Sequence, residues 1–166
     1  MSLDNIQLPA IVLQDLYKNA LVDLGTPTVK KTVKKTTGIS FLGNNQKFIT
    51  IIATDENNIY LPDEELNFLM GILNACKLSM ADVALVNFSK TGPVRYIEIE
   101  EQLNAEKIFL FGIEPSQLQL PLQFPHYQIQ KFNNQVYLAA PSLSIIAADK
   151  AEKTKLWNCL KTVFSI

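Results

Sequence analysis

Histidine and cysteine, on which much nucleophilic and metal chemistry depends, are scarce in this sequence. His126 is the only histidine, and Cys76 and Cys159 are the only cysteines. A zinc site usually needs four such ligands, and a catalytic triad needs a histidine beside a serine or cysteine nucleophile, so both are disfavoured. The two cysteines have no partner at metal or redox spacing, which favours two buried free thiols in a reducing compartment over a disulfide.

An excess of charge of either sign is also missing. The 15 Lys and Arg residues oppose 16 Asp and Glu residues, which gives a formal net charge of -1. The molecule as a whole is therefore no polyanion binder, and any contact with nucleic acid would be local. Glycine-rich phosphate loops are absent, because Gly38 and Gly43 fit neither the dinucleotide-binding nor the P-loop spacing. We expect no cofactor.

The sequence has no apolar run of membrane-spanning length, and no basic segment followed by an apolar block at its start. We therefore expect a cytoplasmic protein without a membrane contact. A chain of 166 residues, of which 48% are hydrophobic, suffices for one globular domain with a substantial core and an appendage.

The stretch Lys47–Asp55, with the sequence KFITIIATD, is an almost unbroken apolar run rich in β-branched residues. Such a run is typical of an inner strand of a parallel sheet that is covered on both faces. A helix opened by Pro62 and acidic residues follows, and then a second apolar strand at Met80–Phe88. This order predicts a right-handed β-α-β unit. With a third apolar strand at Lys107–Ile113, it predicts a three-layer α/β domain around a mostly parallel sheet of four strands.

The C-terminal third contains a predicted hairpin and a predicted helix. Tyr127–Phe132 is interpreted as a short edge strand, and Asn133 and Asn134 form a turn into Val136–Ala140. Asp149 is predicted to cap a last helix that ends near Phe164. That helix carries the only tryptophan, Trp157, for which core packing is favoured over ligand stacking.

The N-terminal part, residues 1–46, is predicted to be separable from a domain at 47–166. Leu8–Leu24 has apolar residues at helical spacing and Gly25 as a C-cap. Residues 26–46 lack a dense apolar face, which indicates a linker or an arm that becomes ordered on binding, so a chain that starts near Gln46 is expected to stay folded. Four lysines in it could contact phosphates, although a solvated linker is favoured: Lys30, Lys31, Lys34 and Lys35.

Polar residues follow the first two predicted strands. Asp55 comes directly after the first strand, and Asn87 lies at the end of the second. Open α/β sheets usually bind ligands at the carboxyl ends of their strands. Asp55 and Asn87 are therefore candidates for a crevice at this edge, although a carboxylate in a solvated loop more often has no catalytic role.

Five segments together resemble one known family. They are KFITIIATDEN, LNFLMGILNAC, VALVNF, KIFLFGI and QVYLAAPSLSIIAADKAEKTKLWNCLKTV. Over Lys47–Phe164, the chain resembles the psi subunit family of the bacterial DNA polymerase III clamp-loader assembly. The resemblance implies a non-enzymatic adaptor, whose N-terminal segment docks on the clamp loader. It also implies that the globular domain pairs with the chi subunit, which links to single-stranded DNA-binding protein.

In this chain the matching tail is Leu8–Lys35, with Leu16, Leu24 and Gly25 as the implied docking residues. The tail departs from the family pattern, because it lacks the tryptophan that the family has near the arm.

The psi fold in turn resembles the uracil-DNA glycosylase fold, which implies a further loop at the crevice. Ala140-Pro141-Ser142-Leu143-Ser144 is similar to the glycosylase loop after the last strand, but alanine replaces its histidine. Thr54–Asn57 lacks the glycine and proline of the water-activating loop. The resemblance therefore implies the fold without its chemistry, with Pro141 and Ser142 as crevice residues. Two alternatives remain, a divergent hydrolase that uses Asp55 and a small-ligand-binding α/β domain.

Overall fold

The computed structural model describes residues 38–166, and within them one sheet is flanked by helices on both faces. The strands of this part of the chain are β1 (Ile49–Ala53), β2 (Val83–Asn87), β3 (Lys107–Phe111), β4 (Ile129–Phe132) and β5 (Gln135–Ala140). The helices are α1 (Asp63–Ala75), α2 (Phe88–Thr91), α3 (Tyr96–Leu103), α4 (Leu143–Ala148) and α5 (Lys150–Phe164). Short 3-10 turns lie at Met80–Asp82 and Pro115–Leu118.

The strand order is β2-β1-β3-β5-β4. Neighbouring pairs among β2, β1, β3 and β5 are parallel, and β4 pairs antiparallel with β5 at the edge. The prediction of a mostly parallel α/β sheet is confirmed, but the sheet has five strands instead of four. The hairpin strand β4 adds the fifth, and its turn residues Asn133 and Asn134 both have positive φ. Asparagine tolerates that conformation better than most residues.

Each face of the sheet has its own apolar cluster, because the inner strands carry apolar side chains on both of their faces. On one face, side chains such as Ile51, Leu85 and Phe109 pack against α1, α4 and α5. On the other face, Ile52 and Leu110 are among those that pack against α3 and the irregular segment after β3. This is the three-layer arrangement that buried parallel sheets require.

Local sequence signals account for several element ends. The first turn of α1 holds three acidic residues, which favour the positive end of the helix dipole. The Asp149 carboxylate accepts a hydrogen bond from the Ala151 N–H at 2.7 Å and caps α5, as predicted. Asn104 ends α3 in the left-handed conformation.

The segment 38–46 packs on the domain, whereas the sequence assigns it to the linker. Leu42 and Leu85 exchange two backbone hydrogen bonds at the outer edge of β2. Ile39 is buried in the cluster beside α3, and the Asn45 side-chain amide donates to the Leu103 carbonyl at 2.7 Å. The packed domain therefore already includes residues 38–46, because these nine residues cover an edge strand that would otherwise be open.

Several predicted features lie outside the described residues. They are the N-terminal helix, the docking residues Leu16, Leu24 and Gly25, and the four lysines Lys30, Lys31, Lys34 and Lys35. Within residues 38–166, both cysteines are free, with Cys76 buried and Cys159 half-buried. No helix of this described part is long and apolar enough to cross a membrane.

Candidate functional site

The loop after β1 is closed by the Asp55 carboxylate. Its Oδ1 accepts hydrogen bonds from the backbone N–H groups of Asn57 and Asn58, and from the Asn58 side chain. The backbone bond from Asn58 is the main cause that lowers the pKa of Asp55, against a smaller opposing effect of desolvation. An oxygen that accepts three bonds from its own loop is arranged as a turn-former. Asp55 Oδ1 is thus committed to local structure.

Asn87, at the end of β2, stabilises the same loop through its side-chain amide. Its side chain is 2% exposed. Its Oδ1 accepts from the N–H groups of Asp55 and Ser89, each at 3.1 Å. Its Nδ2 donates to the carbonyls of Asp55, Asn58 and Ile59 at 2.8, 3.1 and 3.2 Å. Both ends of the amide are therefore saturated by backbone groups, and none of its capacity is directed to a ligand.

Pro141 and Ser142 lie where β5 ends and α4 begins. The Ser142 and Ser144 hydroxyls share a hydrogen bond of 3.0 Å. Ser142 faces Gly112 at the end of β3, where φ is +69° and an added Cβ would lie 3.2 Å from the Ser142 Cβ. Because β3 lies between β1 and β5, Pro141 and Ser142 are two strand positions away from Asp55. The structure brings Asp55 and Asn87 into contact, but not Asp55 and Ser142.

Glu65, which the sequence analysis does not select, also belongs to this edge. Partial burial raises its pKa, the charge of Asp55 raises it further, and a hydrogen bond with Ser144 lowers it. The negative charge of Asp55, in the β1 loop, therefore acts on Glu65 in the first turn of α1. The place of Glu65 in that turn is the only sequence signal for this interaction.

The remaining candidates for chemistry stand apart. His126 Nε2 lies 3.9 Å from Glu114, and both side chains are exposed. In residues 38–166, no group of three or more His, Cys, Asp or Glu side chains could hold a metal ion.

A second region, on the outer face of the domain, has a different character. An apolar groove of about 420 Å³ lies between α1 and α5 and is called here the α1/α5 groove. Its lining residues are Asn67, Phe68, Gly71, Ile72 and Ala75 from α1, and Lys153, Leu156, Trp157 and Leu160 from α5. Leu156 and Leu160 are buried in its floor, whereas Phe68, Ile72 and Trp157 are half-buried and face it. Trp157 therefore packs on the core, as predicted, and also borders open space.

One charged side chain borders the α1/α5 groove. The Lys153 Nζ lies 5.6 Å from the centre of the Phe68 ring, in the range of a cation-π contact. Lys153 therefore lies against the apolar surface beside the groove.

The sequence contains two signals for this groove. Trp157 is one, because a single tryptophan on a surface helix is often part of an interface. The stretch from Leu66 to Cys76 is the other, since it contains no charged residue although it forms a surface helix. Neither signal indicates that α1 and α5 lie side by side, because their positions are set by how both helices pack on the same face of the sheet.

The domain thus has a polar edge whose main side chains bond to nearby loop backbone, and an apolar groove with two half-buried aromatic rings.

Neither comparison with models of protein families nor comparison with curated proteins found a match for this chain.

Proposed function

We propose that this protein is a non-enzymatic adaptor of the DNA replication machinery, a psi-like subunit that bridges the clamp loader and partner proteins. The resemblance over Lys47–Phe164 suggests the assembly, and the psi-like version of the fold is proposed with it. The single observation that carries the adaptor function is the α1/α5 groove, whose apolar lining includes the half-buried rings of Phe68 and Trp157. Clustered aromatic residues of this kind dominate the binding energy of protein interfaces.

The side chains of the polar edge are used mainly for local structure. A general base needs a free basic atom within reach of a substrate. Asp55 Oδ1 already accepts three hydrogen bonds from its loop, which leaves Oδ2 as the open oxygen of that carboxylate, and the Asn87 amide is buried and saturated. These side chains stabilise the loop that joins β1 to α1, which in turn positions one wall of the groove.

The test is co-elution on size exclusion of the full chain with the clamp-loader subunits of its own organism. We expect the wild-type chain to shift into the complex. Gly71→Arg should weaken the shift, because a Cβ on Gly71 points into open space and the long side chain would fill the groove. Asn74→Arg is the matched control, since Asn74 is exposed on the same helix but does not line the groove. Failure of the wild-type chain to shift would refute the replication role.

The hydrolase alternative is tested separately with a labelled oligonucleotide that contains uracil. We expect no excision by the wild-type chain. Excision that Asp55→Asn abolishes would refute the non-enzymatic function and establish Asp55 as a water activator.

A further inference from the structure

The outward face of α1 is unusual for a surface helix. All three acidic residues of α1 lie in its first turn, and its exposed positions that line the groove are Asn67, Gly71 and Ala75. Solvent-facing helix positions normally carry charged side chains. Small and uncharged residues instead permit close approach of another backbone. This face therefore fits a surface that a partner covers.

The α5 wall of the groove supplies anchors at helical spacing. Lys153, Leu156, Trp157 and Leu160 occupy positions i, i+3, i+4 and i+7. No carboxylate in residues 38–166 pairs with Lys153, whereas Lys155, two residues further on, is paired with Glu152 at 2.7 Å. The groove thus combines apolar walls with one cation that lacks a counter-charge in the described domain.

The shape of the groove selects among kinds of occupant. It is bordered by α1 from Asn67 to Ala75, which is about 12 Å at 1.5 Å per residue, or two helical turns. Its walls are helices, whose backbone groups are bonded internally, so no edge is available for strand addition. Among residues 38–166, the polar groups in its lining are those of Asn67 and Lys153 and the indole N–H of Trp157, which are few for fixing a small molecule.

We propose that the α1/α5 groove binds an amphipathic helix of a partner protein, with a carboxylate placed beside its apolar face to pair with Lys153. This inference rests on the proposed adaptor function and adds the chemistry of the partner. A third helix in the groove between two helices buries its own apolar face by ordinary ridge-into-groove packing. A second copy of this chain fits less well, because the same face would present no carboxylate from its lining to Lys153.

The only tryptophan lines the groove, so its fluorescence reports directly on occupancy. The probe is a synthetic helical peptide of about 14 residues, with leucine at i, i+3, i+4 and i+7 and glutamate beside them. A second peptide carries lysine in place of each glutamate. We expect the acidic peptide to shift the Trp157 emission of the full chain to shorter wavelength. We expect it to bind about tenfold more tightly than the basic one.

Lys153→Glu should reverse that preference, because it replaces the cation with a carboxylate. Lys161→Glu is the matched control, since Lys161 is an exposed lysine of the same helix outside the groove lining, and it should keep the wild-type preference. No emission change up to about 1 mM of either peptide would overturn the proposal. Equal binding of both peptides, or an unchanged preference in Lys153→Glu, would overturn the acidic partner. Concentration-dependent dimerisation that Gly71→Arg abolishes would identify a second copy as the occupant instead.

The outcomes separate this inference from the adaptor function. If the chain fails to co-elute with clamp-loader subunits but prefers the acidic peptide, the replication role fails and the groove assignment stands. If the chain co-elutes and both Gly71→Arg and Lys153→Glu co-elute equally well, the adaptor stands and the groove assignment fails.

Discussion

Asn87→Asp tests whether the loop at the polar edge is held by one buried amide. The change keeps the shape of the side chain but replaces the Nδ2 donor with an oxygen. In the wild-type protein, that donor faces three carbonyl oxygens within 3.2 Å. An aspartate there would place a carboxylate oxygen against those carbonyls at a site that is 2% exposed. Burial without a donor disfavours the ionised form and raises the pKa of the new carboxyl.

The expected magnitude follows from the lost bonds and the buried charge. Asn87→Ala removes all of the hydrogen bonds of the amide. At about 1 kcal/mol each, with partial rehydration of the loop, it should lower the free energy of unfolding by about 3 kcal/mol. Ionised Asn87→Asp leaves an uncompensated charge and should lower it by about 4 kcal/mol or more at pH 7.5. When its new carboxyl is protonated, the Asn87→Asp variant still donates one hydrogen bond there, so its free energy of unfolding should fall by only about 2 kcal/mol.

The sign of the pH dependence is fixed by the raised pKa. The folded Asn87→Asp variant tolerates the neutral acid better than the ionised form. The variant is therefore most stable below the pKa of an aspartate in the unfolded state, about 3.9. Stability then falls as the pH rises through the folded pKa. Urea unfolding at pH 4.5 and 7.5, with wild type and Asn87→Ala measured in parallel, isolates this effect. An Asn87→Asp loss that is equal at both pH values, or smaller than that of Asn87→Ala at pH 7.5, would refute the reasoning.

Two further predictions concern the stability of variants at Gly43 and Gly71, and the pKa of Glu65. Gly43→Ala should lower the free energy of unfolding by about 3 kcal/mol, because φ is +112° and the new Cβ would overlap the Val83 carbonyl oxygen. Gly71→Ala, in the exposed middle of α1, should instead raise it by about 1 kcal/mol, and urea unfolding of both variants checks the pair. NMR titration should give Glu65 a pKa above that of an exposed glutamate, and Asp55→Asn should bring it down because a neighbouring negative charge is removed. An unshifted Glu65, or no response to Asp55→Asn, would contradict the electrostatic coupling between Asp55 and Glu65.

Local signals predict the sheet and most of the helices of the described domain. The apolar runs of β1, β2 and β3 and the acidic start of α1 lie where the sequence indicates them. The Asp149 cap and the turn at Asn133 and Asn134 depend on side-chain chemistry within a few residues, which a sequence states directly. Such features are predictable because their cause is local.

The packing of residues 38–46 is not predictable in this way. Ile39, Phe41 and Leu42 form only a short apolar patch among Gly, Ser, Asn and Gln, without strand or helix periodicity, so the segment has the composition of a linker. It is ordered by partners that are far away in the sequence, namely β2 and Leu103. The role of Asn87 is hidden for the same reason, since its partners are backbone groups of a loop about 30 residues earlier in the chain.

The α1/α5 groove also arises from distant parts of the chain, and its cause is side-chain size. The short helix α4 contacts both α1 and α5, with Ile146 fully buried. On the α1 wall of the groove, Gly71 and Ala75 are too small to fill the space that faces Trp157. Stability alone would favour alanine or a larger residue at position 71, because glycine in a helix interior costs about 1 kcal/mol relative to alanine. A stabilising Gly71→Ala that also weakened binding of the acidic peptide would show that the open groove is maintained at the expense of stability.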